Sequence, residues 1–175
     1  MILLGIFLIA LLIYFIFFVS QFYNFIIKGN APFISTDEET LGQIIDAAQL
    51  HEQSVVYELG CGQARFLRIV EKIFPQTTLI GVENLLSVWL VTKIKVMVQR
   101  SSIQVLKQNI FTVSLKTADV IYCYLNNATM QKLSDKFTSE CKPGTQIISR
   151  SFPIPQFEPA KVLLIKGKKV FFYTV

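Results

Sequence analysis

The chain has 175 residues, of which 52% are apolar, and its formal net charge is +5. This length has room for one domain with an appendage. Three cysteines, with neither a Cys-x-x-Cys pair nor a neighbouring histidine, argue against a metal site and a disulfide framework. The single histidine, His51, argues against a histidine-dependent catalytic triad. Nucleic-acid binding has no support beyond the charge, because no basic stretch is interleaved with aromatic residues.

Much of the apolar excess lies at the start of the chain, where no charged side chain precedes Lys28. Fifteen of the eighteen residues 2–19 are Leu, Ile, Phe or Val. As a helix they would span about 27 Å, close to the hydrocarbon thickness of a bilayer. A cleaved signal peptide would need a basic start, a shorter apolar core and a small-residue cleavage site, and this segment has none of them. Residues 1–28 are therefore predicted to form a retained single-pass anchor, with the lipid bilayer as its partner.

The segment after the anchor changes in composition. Residues 29–34 contain Gly29 and Pro32 and are predicted to form a linker, so that a domain extends from residue 35 to residue 175. Ser35 and Thr36 begin two overlapping capping boxes, and a helical pattern follows to near Leu50. Further along, strands are predicted at residues 55–59, 78–82, 102–107, 120–124 and 145–149, and helices at residues 66–73, 86–99 and 129–140.

The end of the chain follows a different pattern. Pro153, Pro155 and Pro159 exclude a helix there. Residues 161–166 and 170–175 then read as two strands joined at residues 167–169, which is typical of a hairpin. The alternating strands and helices before it predict a parallel sheet. We therefore expect an α/β fold with a Rossmann-like, doubly wound, seven-stranded sheet, a C-terminal antiparallel hairpin and one N-terminal transmembrane helix.

Four lysines of this hairpin, Lys161, Lys166, Lys168 and Lys169, have no acidic residue after Glu158 to match them. They could contact an anionic bilayer surface. A solvated rim of the hairpin is an equally good interpretation, and the sequence leaves both open.

The strongest functional motif joins the first two predicted strands. Residues 55–62 read VVYELGCG, and Glu83 ends the next apolar run. Glycines after a buried strand let the backbone approach a ligand, and an acid about 20 residues later can bind both ribose hydroxyls. Nicotinamide and flavin enzymes add a third glycine, where this chain has Arg65, and a sixth parallel strand, which is not predicted here. The motif therefore indicates a nucleoside-type cofactor other than a dinucleotide.

Glu-x-Gly-x-Gly, an acid after the second strand and a closing hairpin resemble the seven-strand S-adenosylmethionine-dependent methyltransferases. The resemblance covers residues 32–175. Residues 31–36 (APFIST) and 149–155 (SRSFPIP) look like one group within them. This group is the membrane-anchored protein-lysine methyltransferases whose mitochondrial members act on the adenine nucleotide translocase and the ATP synthase c-subunit, together with small bacterial relatives.

The resemblance implies a site for S-adenosyl-L-methionine and no metal. Glu83 would bind the ribose, Asn109 the adenine amino group, and Thr36 or Ser35 would close over the cofactor. Tyr124 and Asn126, after the fourth strand, would lie on the acceptor side. The usual motif continues Asp-Gly, and its replacement by Gln63-Ala64 removes a carboxylate near the cofactor's cationic end, which predicts weaker binding. The complete predicted cofactor set is Thr36, Glu58, Gly60, Cys61, Gly62, Gln63, Glu83, Asn84 and Asn109.

The implied function is methylation of a lysine in a membrane or membrane-adjacent protein. Two alternatives stay open: a non-catalytic membrane-anchored module that binds the cofactor or a partner, and a methyltransferase of a lipid or quinone. The distribution of basic residues around the anchor gives only a weak signal of its orientation in the membrane. Lys28 is the only basic residue near the anchor, and residues 37–39 are acidic. A metabolic cofactor places the domain on the cytoplasmic, or mitochondrial-matrix-like, side.

Overall fold

The computed structural model describes residues 2–26 and 36–175. The chain divides into two units, residues 1–34 and residues 35–175. The predicted linker, Lys28 and Ser35 lie outside the described residues.

In the described part of the first unit, the chain forms one helix, α1, which spans Ile2–Ile26. Its segment Leu3–Ser20 has a mean hydropathy of 2.9, and none of that segment is buried. Eighteen helical residues are about 27 Å long, so α1 is long and apolar enough to cross a membrane. The predicted apolar helix is therefore present.

The second unit is built on one seven-stranded sheet. Its strands are Val55–Leu59 (β1), Thr78–Glu83 (β2), Gln104–Lys107 (β3), Val120–Cys123 (β4), Gln146–Arg150 (β5), Lys161–Ile165 (β6) and Lys168–Thr174 (β7). They lie in the order β3-β2-β1-β4-β5-β7-β6. Strands β1 to β5 run parallel to one another, and β7 pairs antiparallel with both β5 and β6. The predicted seven-stranded α/β fold with a terminal hairpin is confirmed.

Helices cover both faces of this sheet. They are Glu38–Asp46 (α2), Arg65–Ile73 (α3), Leu86–Val98 (α4) and Asn127–Glu140 (α5). Successive strand residues point to opposite sides of a sheet, so each strand contributes to two packing layers. Val56 and Val120 pack with α2, α3 and α4, and Leu59 and Ile121 pack with α5 on the other side.

Some element boundaries differ from the predicted ones. The hairpin turns at Lys166 and Gly167, with φ of 47° and 75°, rather than at residues 167–169. Two positive φ angles match the twist of a two-residue hairpin turn, so Lys168 already belongs to β7. At the start of the domain, α2 ends at Asp46 rather than near Leu50.

Candidate active site

The predicted site residues gather at one edge of the sheet. Parallel strands end at the same edge of a sheet. In this sheet the strand order changes direction between β1 and β4, because β2 and β3 lie on one side of β1 and β4 and β5 lie on the other. Open α/β sheets bind ligands at such a switch point. Most of the predicted cofactor residues lie at or just after the ends of β1, β2 and β3, and the predicted acceptor residues follow β4. Thr36 instead precedes α2.

The loop after β1 is held against the end of β2. The backbone N–H groups of Gly60 and Cys61 donate to the carbonyl of Val82, at 2.9 and 3.0 Å. Gly60 has a φ of +70°, and a Cβ added to it would lie 2.9 Å from Cδ2 of Leu125. A side chain at position 60 would therefore be strained, and its Cβ would displace the end of the Leu125 side chain in the loop after β4. Gly60 thus lies close to the loop that carries the predicted acceptor residues.

The two carboxylate oxygens of Glu83 bind two backbone segments, the loop after β1 and the residues just after β2. Its Oε2 accepts from the N–H of Gly62 at 3.1 Å, and its Oε1 accepts from the N–H of Leu85 at 2.8 Å. The side chain is half-buried. The acid predicted from spacing to bind ribose therefore also fixes the conformation of the glycine loop.

Glu58 is buried directly below the same loop, only 7% exposed. Its Oε2 accepts from the N–H of Leu67 at 3.4 Å. Burial raises the pKa of this carboxyl from 4.5 to about 8, although the backbone hydrogen bonds and the charge of Arg68 oppose the shift. Burial thus favours the protonated form of Glu58.

Cys61 serves packing rather than chemistry. Burial raises the pKa of its thiol, and the nearby Glu58 and Glu83 add to the shift, so the reactive thiolate is disfavoured. A Cβ added to Gly81 would lie 2.9 Å from the Cys61 Sγ. The sulfur therefore fills the space that a glycine in β2 leaves open.

The backbone conformation shows why glycine suits the position that Ala64 occupies in this chain. Ala64 is fully buried just before α3 and has a left-handed φ of 51°. Glycine adopts that conformation freely, whereas another residue pays roughly 1–2 kcal/mol. Gln63 is half-buried in the turn. The loop thus keeps its conformation at a strain cost concentrated at Ala64.

Arg150, to which the sequence motifs assign no role, lies between two predicted site residues, Thr36 and Tyr124. It is 5% exposed at the end of β5. One Nη donates to the Thr36 hydroxyl, and Arg65 donates to the Thr36 carbonyl at 3.4 Å. The Arg150 guanidinium also lies 4.8 Å from the centroid of the Tyr124 ring. Arg150 therefore connects Thr36 to Tyr124.

Tyr124 is surrounded by positive charge. The Lys168 Nζ donates to its hydroxyl at 3.0 Å, and Arg150 lies over its ring. Although partial burial opposes the change, the hydrogen bond from Lys168 and the two cations lower the pKa of the Tyr124 hydroxyl. The predicted acceptor-side residue thus lies where a second ammonium ion would be disfavoured.

The three predicted asparagines occupy positions with local structural roles or in solvent. The Asn126 Oδ1 accepts from the N–H of Thr129 at 2.9 Å and caps α5. The exposed Asn109 accepts from the N–H of Phe111 at 3.0 Å, and Asn84 is exposed beside Glu83. Their proposed contacts with cofactor or acceptor stay predictions.

The Arg150–Thr36 contact can be tested by a double-mutant cycle with Thr36→Val and Arg150→Lys. A hydrogen bond to a charged group contributes about 1.5–3 kcal/mol, so we expect a coupling energy of about 2 kcal/mol in chemical unfolding. The exposed Arg100→Lys is the matched control, with no coupling to Thr36→Val. Additive effects of Thr36→Val and Arg150→Lys would show that the contact does not stabilise the fold.

The polar groups at this edge fit S-adenosylmethionine. Gly60 presents exposed backbone in a left-handed conformation that disfavours a side chain, and Glu83 offers a half-buried carboxylate suited to paired hydroxyls. In the first turn of α4, the buried Ser87 Oγ has no hydrogen-bond partner within the described part of the chain. A buried hydroxyl without a partner is rare in proteins, so a polar ligand here would satisfy it.

Comparison with known proteins agrees with this site. The family described as "ANTKMT methyltransferase domain" matches residues 58–161. A protein-lysine N-methyltransferase of Saccharolobus islandicus (strain REY15A) is 25% identical over 141 residues, covering 78% of this chain and 86% of the relative.

Solved structures show the same fold. An RNA methyltransferase from Salinibacter ruber, in complex with S-adenosyl-L-homocysteine, superposes with a TM-score of 0.76 at 19% identity, covering 81% of this chain and 94% of that one. A SAM-dependent methyltransferase from Geobacter sulfurreducens, also with S-adenosyl-L-homocysteine, gives a TM-score of 0.56 at 16% identity, over 65% and 48% of the two chains.

The predictions of an S-adenosylmethionine-dependent N-methyltransferase and of its cofactor are confirmed. The family match covers more than half of the chain and includes Glu58, the Gly60 loop, Glu83 and Tyr124. The chain therefore belongs to the ANTKMT methyltransferase domain family.

Proposed function

We propose that this protein is a membrane-tethered methyltransferase that modifies a lysine of a membrane or membrane-adjacent protein. In this proposal residues 1–28 anchor the chain, residues 29–34 link and residues 35–175 catalyse, on the cytoplasmic or matrix-like side. The similarity to a lysine methyltransferase and the apolar helix α1 support it. The observation that carries the proposal is the closeness of Gly60 to the Leu125 side chain, because it brings the two halves of the proposed site together.

The cofactor half would consist of the glycine loop and the residues around it. Glu83 would bind the ribose hydroxyls, while Glu58, Cys61 and the glycines would shape the pocket for the methionine portion. Asn84 and Asn109 would face the adenosine end, and Thr36, held by Arg150, would cover the ligand. Gln63 would replace the usual aspartate with a neutral hydrogen-bonding group.

The acceptor half would control the charge of the incoming lysine. Bound S-adenosylmethionine supplies a methyl group on a sulfonium, which a neutral amine can accept in line. A lysine ammonium near Arg150 and Lys168 would have a lowered pKa, because like charges disfavour the charged form. Its proton would leave to water before transfer. Tyr124 would then orient the free amine, with Asn126 at the start of α5 forming the neighbouring wall.

Labelling in membranes tests the proposal. Full-length protein in its own membranes, supplied with methyl-radiolabelled S-adenosylmethionine, should place label in protein, and acid hydrolysis should release it as methyl-lysine. Glu83→Ala should abolish the signal. Glu71→Ala is the matched control. Like Glu83, Glu71 accepts hydrogen bonds from the backbone, but its partners are Ser101 and Ser102, which are not among the predicted site residues.

Other labelling patterns would contradict the proposal. Label in the organic extract would identify a lipid or quinone as the acceptor. No transferred label, with cofactor binding retained, would identify a binding module.

A further inference from the structure

The helix α4 exposes a broad apolar surface. Six of its thirteen residues are apolar and between 48% and 73% exposed. We call them the α4 apolar face: Leu86, Leu90, Val91, Ile94, Met97 and Val98. Contiguous apolar surface of this kind marks interaction sites, and neither the fold nor the methyl-transfer site uses it.

The helical geometry makes this face continuous. At about 100° per residue, the six side chains cover an arc of about 140°. The opposite side of the helix, with Val88, Thr92 and Val96, is buried. Ser87 is the one polar residue within the arc and is half-buried. The face is therefore one apolar strip along the helix rather than scattered side chains.

Positive charge borders the strip on both sides. Lys93 lies about 20° beyond one edge and Lys95 about 40° beyond the other. α4 has no acidic residue, and within the described residues neither lysine forms a salt bridge. Partial burial and the nearby Arg68 and Arg65 lower the pKa of Lys95, so the Lys95 edge continues into two further cations on α3.

We infer that the α4 apolar face docks into the interface of an anionic bilayer, with Lys93 and Lys95 reaching the lipid headgroups. Interfacial helices have this arrangement, in which an apolar strip is bordered by basic residues whose charges attract anionic lipid. A second copy of the chain fits less well, because a two-fold interface would bring the flanking lysines of both copies together.

The inference rests in part on the proposed membrane tether. Only nine residues, 27–35, separate the described end of α1 from Thr36. A bilayer that holds α1 would therefore keep the domain at high effective concentration near its surface. Under that condition even a single short interfacial helix suffices for docking.

Site-directed spin labelling can test the docking in the full-length protein. Ile94→Cys places a nitroxide in the middle of the strip, and Gln131→Cys places one on α5, across the sheet. The native cysteines are buried and will not compete for the label. In vesicles of phosphatidylcholine and phosphatidylglycerol, the ratio of collisions with oxygen to collisions with a water-soluble nickel complex should be several-fold higher at position 94 than at position 131.

The charge requirement has its own matched pair of variants. Lys93→Glu should lower the collision ratio at position 94, whereas Lys132→Glu on α5, the same charge change, should leave it unchanged. Equal, water-like ratios at positions 94 and 131 would overturn the inference. A label at 94 shielded from both reagents would overturn it too, in favour of a protein partner.

Failure of the tether can be distinguished from failure of the docking. Alkaline carbonate extraction of the same vesicles reports whether α1 is inserted. Release of the protein would contradict the tether in the proposed function. The collision ratio at position 94, measured on vesicles before extraction, decides the docking in either case.

Discussion

Glu83→Ala is expected to weaken S-adenosylmethionine binding about 100-fold. One oxygen of this carboxylate accepts the backbone N–H of Gly62 in the loop after β1, and the other accepts that of Leu85, just after β2. The same oxygens would meet the ribose hydroxyls. Hydrogen bonds to a charged group contribute about 1.5–3 kcal/mol each. A net loss of about 3 kcal/mol corresponds to a factor of about 100 in the dissociation constant.

Isothermal titration with S-adenosylmethionine measures this change directly. Glu83→Gln, which keeps one acceptor oxygen, should fall between the wild type and Glu83→Ala. Glu71→Ala should lower stability, because it removes hydrogen bonds from Ser101 and Ser102, without changing affinity. Wild-type affinity in a folded Glu83→Ala protein would remove Glu83 from the cofactor site.

The sequence predicts those residues of this site that belong to short continuous motifs. Glu58, Gly60 and Glu83 follow from two short apolar runs that end in glycine or in an acid, and the order of strands and helices follows from periodicity. Trp89, on the apolar helix that sequence predicts after β2, packs against the core and donates to the Val105 carbonyl at 3.0 Å.

The unpredicted features depend on contacts between distant residues or on backbone conformation. Arg150 meets Thr36 across 114 positions of the sequence. Lys166, which has no matching acid nearby in the sequence, pairs with Asp37 and Glu39 at the start of α2. The left-handed φ of Ala64 could not be predicted from sequence either, because alanine before a helix does not indicate that conformation.

The exposed α4 face illustrates a further limit of sequence. A mostly apolar helix beside buried strands predicts packing on all sides, yet one side is solvent-exposed in the described structure. The number of helices that cover this face of the sheet decides which side is buried, and that number follows from the fold. Composition alone therefore could not separate core residues from a docking surface.

The free energy of unfolding should fall as pH rises from about 5 to about 8, because of Glu58. Burial raises its pKa to about 8 in the folded protein, against 4.5 ordinarily. The folded state therefore binds a proton that the unfolded state releases in this window, and stability declines with pH until the folded carboxyl also ionises. The shift corresponds to a loss on the order of 3–5 kcal/mol.

Glu58→Gln should remove this dependence, because its amide carries no titrating proton and keeps an acceptor for the Leu67 N–H. Chemical denaturation at about pH 5, 6.5 and 8 would measure the slope in both proteins. Glu71→Gln is the control and should keep the slope. Although partial burial opposes the change, the hydrogen bonds from Ser101 and Ser102 together lower the pKa of Glu71, so this carboxyl titrates below the window.

Cofactor binding gives the same residue a second, independent test. The cationic sulfonium and amino groups of S-adenosylmethionine near Glu58 would favour its ionised form. Saturating ligand should therefore flatten the pH dependence of wild-type stability, and affinity should rise with pH in the wild type but not in Glu58→Gln.

If the unfolding free energy of Glu58→Gln had the same pH slope as that of the wild type, the Glu58 carboxylate would already be ionised in the folded protein. Its negative charge would then be present before the cofactor binds, and the affinity of the two proteins would differ equally at every pH.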